Sequence, residues 1–280
     1  SFYQAAKKEG LHPIIGCEVY VASRTRFDRV QALDRKRYHL VLLCENQTGY
    51  RNLVKLVSKA CLEGFYQKPR VDWELLSQYH EGLICLSACL AGEVPQKLLA
   101  GNYEQAKQTA LQYQALFGKD NYYLEVQNHG LQEQKTILPL LYQLSQETEI
   151  PLVATNDAHY LTQDEAEMQQ VLLCIQTGKT IDDPTAMRFE TNEFYLKSTQ
   201  EMQQLFSAVP EAITNTKRIA ERCYVTFETE KLHLPAFFMD GVTDNAALFA
   251  DLCETGVQKR YGTPVPEHVQ KRLQHEMDII

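Results

Sequence analysis

The 280-residue chain contains no Cys-x-x-Cys pair; its eight cysteines stand apart at positions 17, 44, 61, 85, 89, 174, 223 and 253. That spacing argues against a disulfide framework. Several cysteines lie inside apolar runs such as LVLLCE and VLLCIQ, where Cys acts as a small hydrophobe, and this usage fits a reducing cytoplasm. No apolar run approaches ~18 residues, so no helical membrane span is indicated, and no signal peptide is present. There is no excess of basic charge either: the net charge is −8, which argues against a chain-wide nucleic-acid footprint. A local basic stretch remains, with Arg24, Arg26, Arg29, Arg35, Lys36 and Arg37 diluted by Asp28 and Asp34. It reads as a phosphate-contacting loop or, in better keeping with that dilution, as a solvated hairpin tip. The chain also lacks an initiator Met. It opens on SFYQAAKKEG and closes on KRLQHEMDII, both mid-helix patterns, so the expectation is a segment of a longer protein.

What is present is an ordinary globular composition, 44% hydrophobic and 23% charged, arranged as alternating strand-like and helical segments over residues 10–160. LHPIIGCEVYVAS, RYHLVLLCEN, EGLICLSACLAGE, NYYLEVQNHG and PLVATNDAHY each hold a short apolar run. Helical spacing recurs at 48–63, with Thr48 as a plausible N-cap, and at 102–117, 131–148, 163–176, 199–223, 244–260 and 266–280. This alternation predicts βαβ units and a largely parallel sheet. Pro235 to Gly241 reads as the loop-rich boundary, with the chain loop-like from Val225 through KLHLPAFF.

Chemistry gathers near the ends of the apolar runs. Glu18 sits among apolar neighbours and needs a cation, a metal or a hydrogen-bond network. Asp157 and His159 are two apart, which on an extended backbone sends them to the same side. They can be two ligands of one cation, an acid–base pair in which Asp157 fixes the His159 tautomer, or an ordinary polar loop after a strand. Cys89, just past LICL, suits a thiolate ligand or a nucleophile, although no base is evident beside it. His39 precedes its apolar run, and fits a strand-end site only if 19–43 forms a hairpin. His129 is a spare candidate in Asn-His-Gly, which is also good turn chemistry.

The runs FYQAAKKEGLHPIIGCEVYVA, GYRNLVKLVSKACLEGFYQKPRVDWELL, GLICLSACLAGE, PLVATNDAHYL, VLLCIQTGKT, NEFYLKS and AERC resemble the amino-terminal PHP domain of bacterial replicative DNA polymerase III alpha subunits. The resemblance covers nearly all of residues 1–235 and continues more weakly to 280. It implies an α/β fold, a distorted (β/α)7 PHP barrel incomplete at its amino terminus, with a mostly helical carboxy-terminal extension. The PHP domain would occupy 1–225, and 226–280 would be a linker and the start of the polymerase palm. Five of the family's barrel-mouth metal ligands match here: Glu18 in GCEVYV, His39 in YHLVLL, Cys89 in LSACLAGE, and Asp157 with His159 in NDAHY. The family's opening His-x-His and Asp-His motifs are not in this sequence, and neither are the palm aspartates.

The resemblance further implies a DNA-directed DNA polymerase, a nucleotidyltransferase of DNA replication in the bacterial cytoplasm. Its palm would use Mg²⁺, and its PHP site about two or three ions of Zn²⁺, Mn²⁺ or Fe, which a mixed His, Cys and carboxylate shell suits. The PHP site would hydrolyse phosphodiesters, for 3′–5′ proofreading, or would serve as a scaffold for a separate exonuclease. Implied partners are DNA, dNTPs, the sliding clamp, the clamp loader and a proofreading exonuclease, with no membrane. The rival readings are a free-standing PHP phosphatase ending near residue 220 and a non-catalytic PHP scaffold.

Overall fold

A computed structural model describes residues 1–228 and 234–280. Lys231 to His233 of the expected KLHLPAFF loop lie outside the described residues. The chain divides into two units, 1–226 and 227–280. In the first, helix α1 (Phe2–Lys8) precedes strand β1 (Gly16–Ala22) and the one-turn helix α2 (Gln31–Asp34). Strand β2 (Arg37–Cys44), helix α3 (Gln47–Leu62), strand β3 (Arg70–Val71) and helix α4 (Trp73–Tyr79) follow. Next come β4 (Leu83–Leu86), α5 (Glu93–Leu99), α6 (Tyr103–Phe117), β5 (Tyr122–Val126), α7 (Gln132–Thr148) and β6 (Leu152–Ala154). Helices α8 (Ala166–Thr177), α9 (Thr199–Leu205) and α10 (Pro210–Arg222) complete the unit.

The six strands form one sheet in the order β3-β1-β2-β4-β5-β6. With its flanking helices it gives the expected α/β architecture, consistent with a distorted barrel. The sheet is mixed rather than largely parallel: β1–β2 and β2–β4 run antiparallel, while β1–β3, β4–β5 and β5–β6 run parallel. The sequence carries the reason. LICL, YYLEV and LVA are buried at every position, as strands covered on both faces must be. GCEVYVA and RYHLVLLC alternate between buried and accessible, the mark of an antiparallel pair with one face open. Residues 19–43 are therefore a hairpin, and His39 can face the same side as β1 side chains. Behind the sheet, Ile84, Leu86, Tyr123 and Val153 pack with Ile219 of α10 and with Cys223 just after it. Asn215 of α10 donates from Nδ2 to the Leu152 carbonyl at 2.7 Å, which ties that helix to β6.

Two local readings are corrected. Asn46, not Thr48, caps α3: its Oδ1 accepts from the backbone N–H of Thr48 and Gly49, and Thr48 lies inside the helix. The basic stretch is a solvated hairpin tip only in part: Arg24, Arg29, Arg35 and Lys36 are exposed, but two of its arginines are held in ion pairs. Arg26 is buried and donates to Glu63, Asp72 and Glu74 at 2.8–3.2 Å, and Arg24 makes a two-pronged pair with buried Asp34. Arg70, fully buried, donates to the carbonyls of Arg26, Asp28, Asp34 and Gly64. Those carbonyls lie in loops and at the end of α2, outside regular ladders, and a buried guanidinium with its five donors satisfies them.

The second unit holds α11 (Asn245–Tyr261), capped by Asp244 through the N–H groups of Ala246 and Ala247, and α12 (Glu267–Ile279). Among the described residues no helix is long and apolar enough to cross a membrane.

Candidate metal centre

Register brings the first donors together. Tyr20 pairs directly with His39 across β1 and β2, so Glu18 is the diagonal neighbour of His39 on the same face. Glu18 Oε1 lies 2.9 Å from His39 Nδ1. The third donor arrives from the turn after β4. Ala88 has φ +63°, a left-handed conformation that reverses the chain just before Cys89. The turn then closes with Gly92 N–H on the Cys89 carbonyl at 2.8 Å, and His39 N–H donates to the Ala91 carbonyl at 3.0 Å. The loop is thereby hydrogen-bonded onto β2 beside His39. Cys89 Sγ stands 3.6 Å from His39 Nδ1.

One ligand atom each from Glu18, His39 and Cys89 lies within 4.8 Å of the others. A carboxylate oxygen, an imidazole nitrogen and a thiol sulfur form a donor set of the kind that takes Zn²⁺, Fe or Mn²⁺ rather than Mg²⁺. The His39 imidazole is pushed up to about 9, first by its contact with Cys89 and then by Glu18, while burial pulls the other way. A cation bound here would displace that proton. Glu18 is not the buried carboxylate expected from its neighbours: its side chain is 44% exposed. Its partner is His39, and its alternate position on an open face keeps it accessible.

Asp157 and His159 lie outside this three-donor set. The strand ends at Ala154, and Asp157 has φ +44°, so the extended backbone that would align the two side chains does not exist there. His159 Nδ1 is bound to the Asp157 backbone carbonyl at 2.8 Å, not to its carboxylate. That bond places the hydrogen on Nδ1 and leaves Nε2 as the coordinating lone pair. The ring packs edge-on against Phe189 and Phe194.

His129 is a structural residue. It is buried, stacks on Phe194 at 4.0 Å, donates from Nε2 to the Asn156 carbonyl and accepts at Nδ1 from Gln134. Burial holds its imidazole below the ordinary range, so it stays neutral at pH 7. It thus fixes the residue immediately before Asp157.

The residue that sequence reasoning passed over is Glu125. A carboxylate in YYLEV, every residue of which is buried, meets the argument applied to Glu18 with more force. Glu125 Oε1 accepts from Thr155 Oγ1 at 2.5 Å and Gln127 Nε2 at 2.9 Å, while Oε2 is buried without a hydrogen-bond partner. Burial raises its affinity for a proton, and the charges of Asp157 and Glu18 both add to that rise. Glu125 therefore lies within electrostatic reach of both groups of candidate ligands.

Residues 1–129 match the PHP domain family. The chain is 47% identical over 281 residues to DNA polymerase III subunit alpha of Treponema pallidum, covering 100% of this chain and 24% of that protein. It is 47% identical over 223 residues to the Borreliella burgdorferi subunit, covering 79% of this chain and 19% of the relative. Against the Thermus aquaticus subunit it is 39% identical over 274 residues, covering 95% of this chain and 22% of the relative. The chain thus spans about a quarter of the length of these relatives. It carries a PHP domain and is homologous throughout to the amino-terminal part of bacterial DNA polymerase III alpha subunits.

Proposed function

We propose that this chain is the PHP-bearing part of a replicative DNA-directed DNA polymerase, and that its PHP domain, residues 1–225, holds a cation centre for phosphodiester hydrolysis at the 3′ end of DNA. Residues 226–280 would lead toward the palm, where Mg²⁺ would serve nucleotide addition. DNA, dNTPs, a sliding clamp, a clamp loader and a proofreading exonuclease would be the partners, in the bacterial cytoplasm. The similarity of this whole chain to about a quarter of the length of the polymerase subunits supports the first half of the reading. The observation that carries the second is the convergence of Glu18, His39 and Cys89.

Glu18, His39 and Cys89 would hold one Zn²⁺, Mn²⁺ or Fe ion, with Asp157 and His159 completing a centre of about two or three ions. Cations so held supply charge neutralisation at the phosphate and a water of lowered pKa. His39 must give up its proton to ligate, and Glu18 is placed 2.9 Å away to orient its ring. The His159 bond to the Asp157 carbonyl keeps Nε2 free for coordination.

The test is a mismatched-primer assay on the complete protein with Mn²⁺. Loss of 3′–5′ degradation in Cys89→Ser and His39→Ala, with primer extension retained, is the expected result. Degradation that survives both substitutions would sink the hydrolytic reading. A scaffold for a separate exonuclease is the second reading, favoured by the position of Asp157 and His159 outside the three-donor set. It predicts no degradation by the unsubstituted protein.

A further inference from the structure

Glu125 lies near the end of β5, between β4, which leads to Cys89, and β6, which leads to Asp157 and His159. Both of its polar ends are engaged toward them. Its backbone N–H donates to Ser87 Oγ at 2.8 Å, two residues before Cys89. Its carboxylate accepts from Thr155 Oγ1, two residues before Asp157. Gln127 reinforces the second contact, donating to Glu125 Oε1 at 2.9 Å and to Thr155 Oγ1 at 3.2 Å. Cys89 and Glu125 also line one small cavity of about 10 Å³.

A carboxyl group taken wholly out of water is costly unless it is hydrogen-bonded, and a core strand of this kind is ordinarily filled by an aliphatic residue. Valine or leucine would pack in YYLEV as well, but neither could bond the Thr155 hydroxyl. The loops bearing Cys89 and Asp157 carry backbone strain, with φ +63° at Ala88 and +44° at Asp157. Conformations of that kind persist where the surroundings over-determine them. The bonds from β5 supply that constraint at the base of each loop. Glu125 itself stands outside the three-donor set, so its action is on where the ligands stand.

We propose that Glu125 is a positioning residue of the cation centre: its carboxylate ties the Asp157–His159 loop, through Thr155, to the strand whose backbone holds the Cys89 loop through Ser87. This rests on the metal-centre reading above. The centre would accordingly be set by six side chains: the five ligand candidates and one carboxyl group beneath them.

The test uses the complete protein, Co²⁺ as the probe, and the variants Glu125→Gln, Glu125→Leu and Thr155→Val. Glutamine retains an acceptor for Thr155 and Gln127, whereas leucine keeps only the packing. Three quantities are read: Co²⁺ affinity, the sulfur-to-cobalt charge-transfer band from Cys89, and hydrogen exchange of residues 155–160 without metal. The expected result is a 10–100-fold loss of affinity in Glu125→Leu, the range for groups that orient ligands, with near-normal affinity in Glu125→Gln. Exchange at 155–160 rises in Glu125→Leu and in Thr155→Val, but not in Glu125→Gln. Thr155→Val should reproduce the affinity loss, and decides the matter if Glu125→Leu does not fold. A folded Glu125→Leu or Thr155→Val with unchanged affinity and spectrum overturns the role of Glu125 and leaves the centre standing. Absence of the thiolate band in the unsubstituted protein overturns the centre itself, and the role of Glu125 with it.

Discussion

Glu18 and His39 meet diagonally across β1 and β2, carboxylate oxygen to Nδ1 at 2.9 Å, although neither is the other's register partner. The contact arises because Tyr20 and His39 are paired and Glu18 lies one full pleat repeat from Tyr20 on the same face.

That contact makes a titration prediction. The His39 imidazole rises from an ordinary 6.5 to about 9 beside Cys89 and Glu18. A raised pKa means the folded state binds the proton more tightly. The associated stability is fully present below about pH 6.5 and is lost as pH climbs toward 9. Metal-free protein should therefore lose stability across that window, and Glu18→Gln should flatten the loss. NMR of the imidazole gives the check directly: a midpoint near 6.5 in the unsubstituted protein would refute the contact. Cation affinity should move in the opposite sense, rising with pH as the competing proton leaves.

Ligand substitutions should rank by position. Cys89→Ser removes one of three donors that lie within 4.8 Å of one another, whereas Asp157→Asn alters a residue outside that set. For the first equivalent of Co²⁺, Cys89→Ser should cost more affinity than Asp157→Asn, by at least about tenfold. It should also abolish the near-ultraviolet thiolate band. Equal losses in the two variants would mean that the donors form one undivided site.

The Arg26 network should be a large structural debt if broken. Its guanidinium is 7% exposed and meets Asp72, itself 4% exposed, as well as Glu63 and Glu74. Replacing Arg26 with Met leaves Asp72 buried beside no counter-charge, at a cost of about 3–5 kcal/mol. For a unit of this size that is a fall of roughly 6–20 °C in Tm. Asp72 also caps α4 through the Leu75 N–H, a duty that Asn performs equally well. The double variant R26M/D72N should then recover part of the loss, giving a coupling of about 1–3 kcal/mol by calorimetry. Strictly additive losses would show that the pair does not interact.

How far these features are legible in the sequence depends on the range of the cause. Strand and helix positions follow largely from local sequence, and α6, α7, α11 and α12 fall within about two residues of expectation. Glu18, His39 and Cys89 are legible as types near strand ends. Their convergence is not, since it requires the β1–β2 register and the Ala88 reversal, neither of which is written in local spacing. Asp157 and His159 mislead for the same reason: alternation presumes an extended backbone, and one left-handed residue removes it. Arg26 looks like surface charge because its acids, Glu63, Asp72 and Glu74, lie about forty residues on. Glu125 was available to a strict reading, as the one charged residue in the buried run YYLEV.

The Cys89 loop has a built-in steric test at Gly92. A methyl group added there would come within 2.1 Å of the Ser87 carbonyl oxygen, with the Cys89 carbonyl oxygen at 3.1 Å and Pro95 Cδ at 3.2 Å. The nearest obstacle is backbone, so it cannot turn aside as a flexible side chain would. The loop must open, and with it the bonds from Gly92 N–H to Cys89 and from His39 N–H to the Ala91 carbonyl. Gly92→Ala should cost about 1–3 kcal/mol by overpacking. It should also displace Cys89 from His39, lowering the imidazole titration from about 9 because the Cys89 contact is the larger cause of its rise. Gly101→Ala is the control. Gly101 has φ +75° with nothing within 4 Å of an added methyl, so only conformational strain of about 1–2 kcal/mol is incurred. The two substitutions can cost similar stability, yet only Gly92→Ala should move the His39 titration and the thiolate–cobalt band. Equal behaviour of both probes in the two variants would mean that the 87–92 turn does not place Cys89.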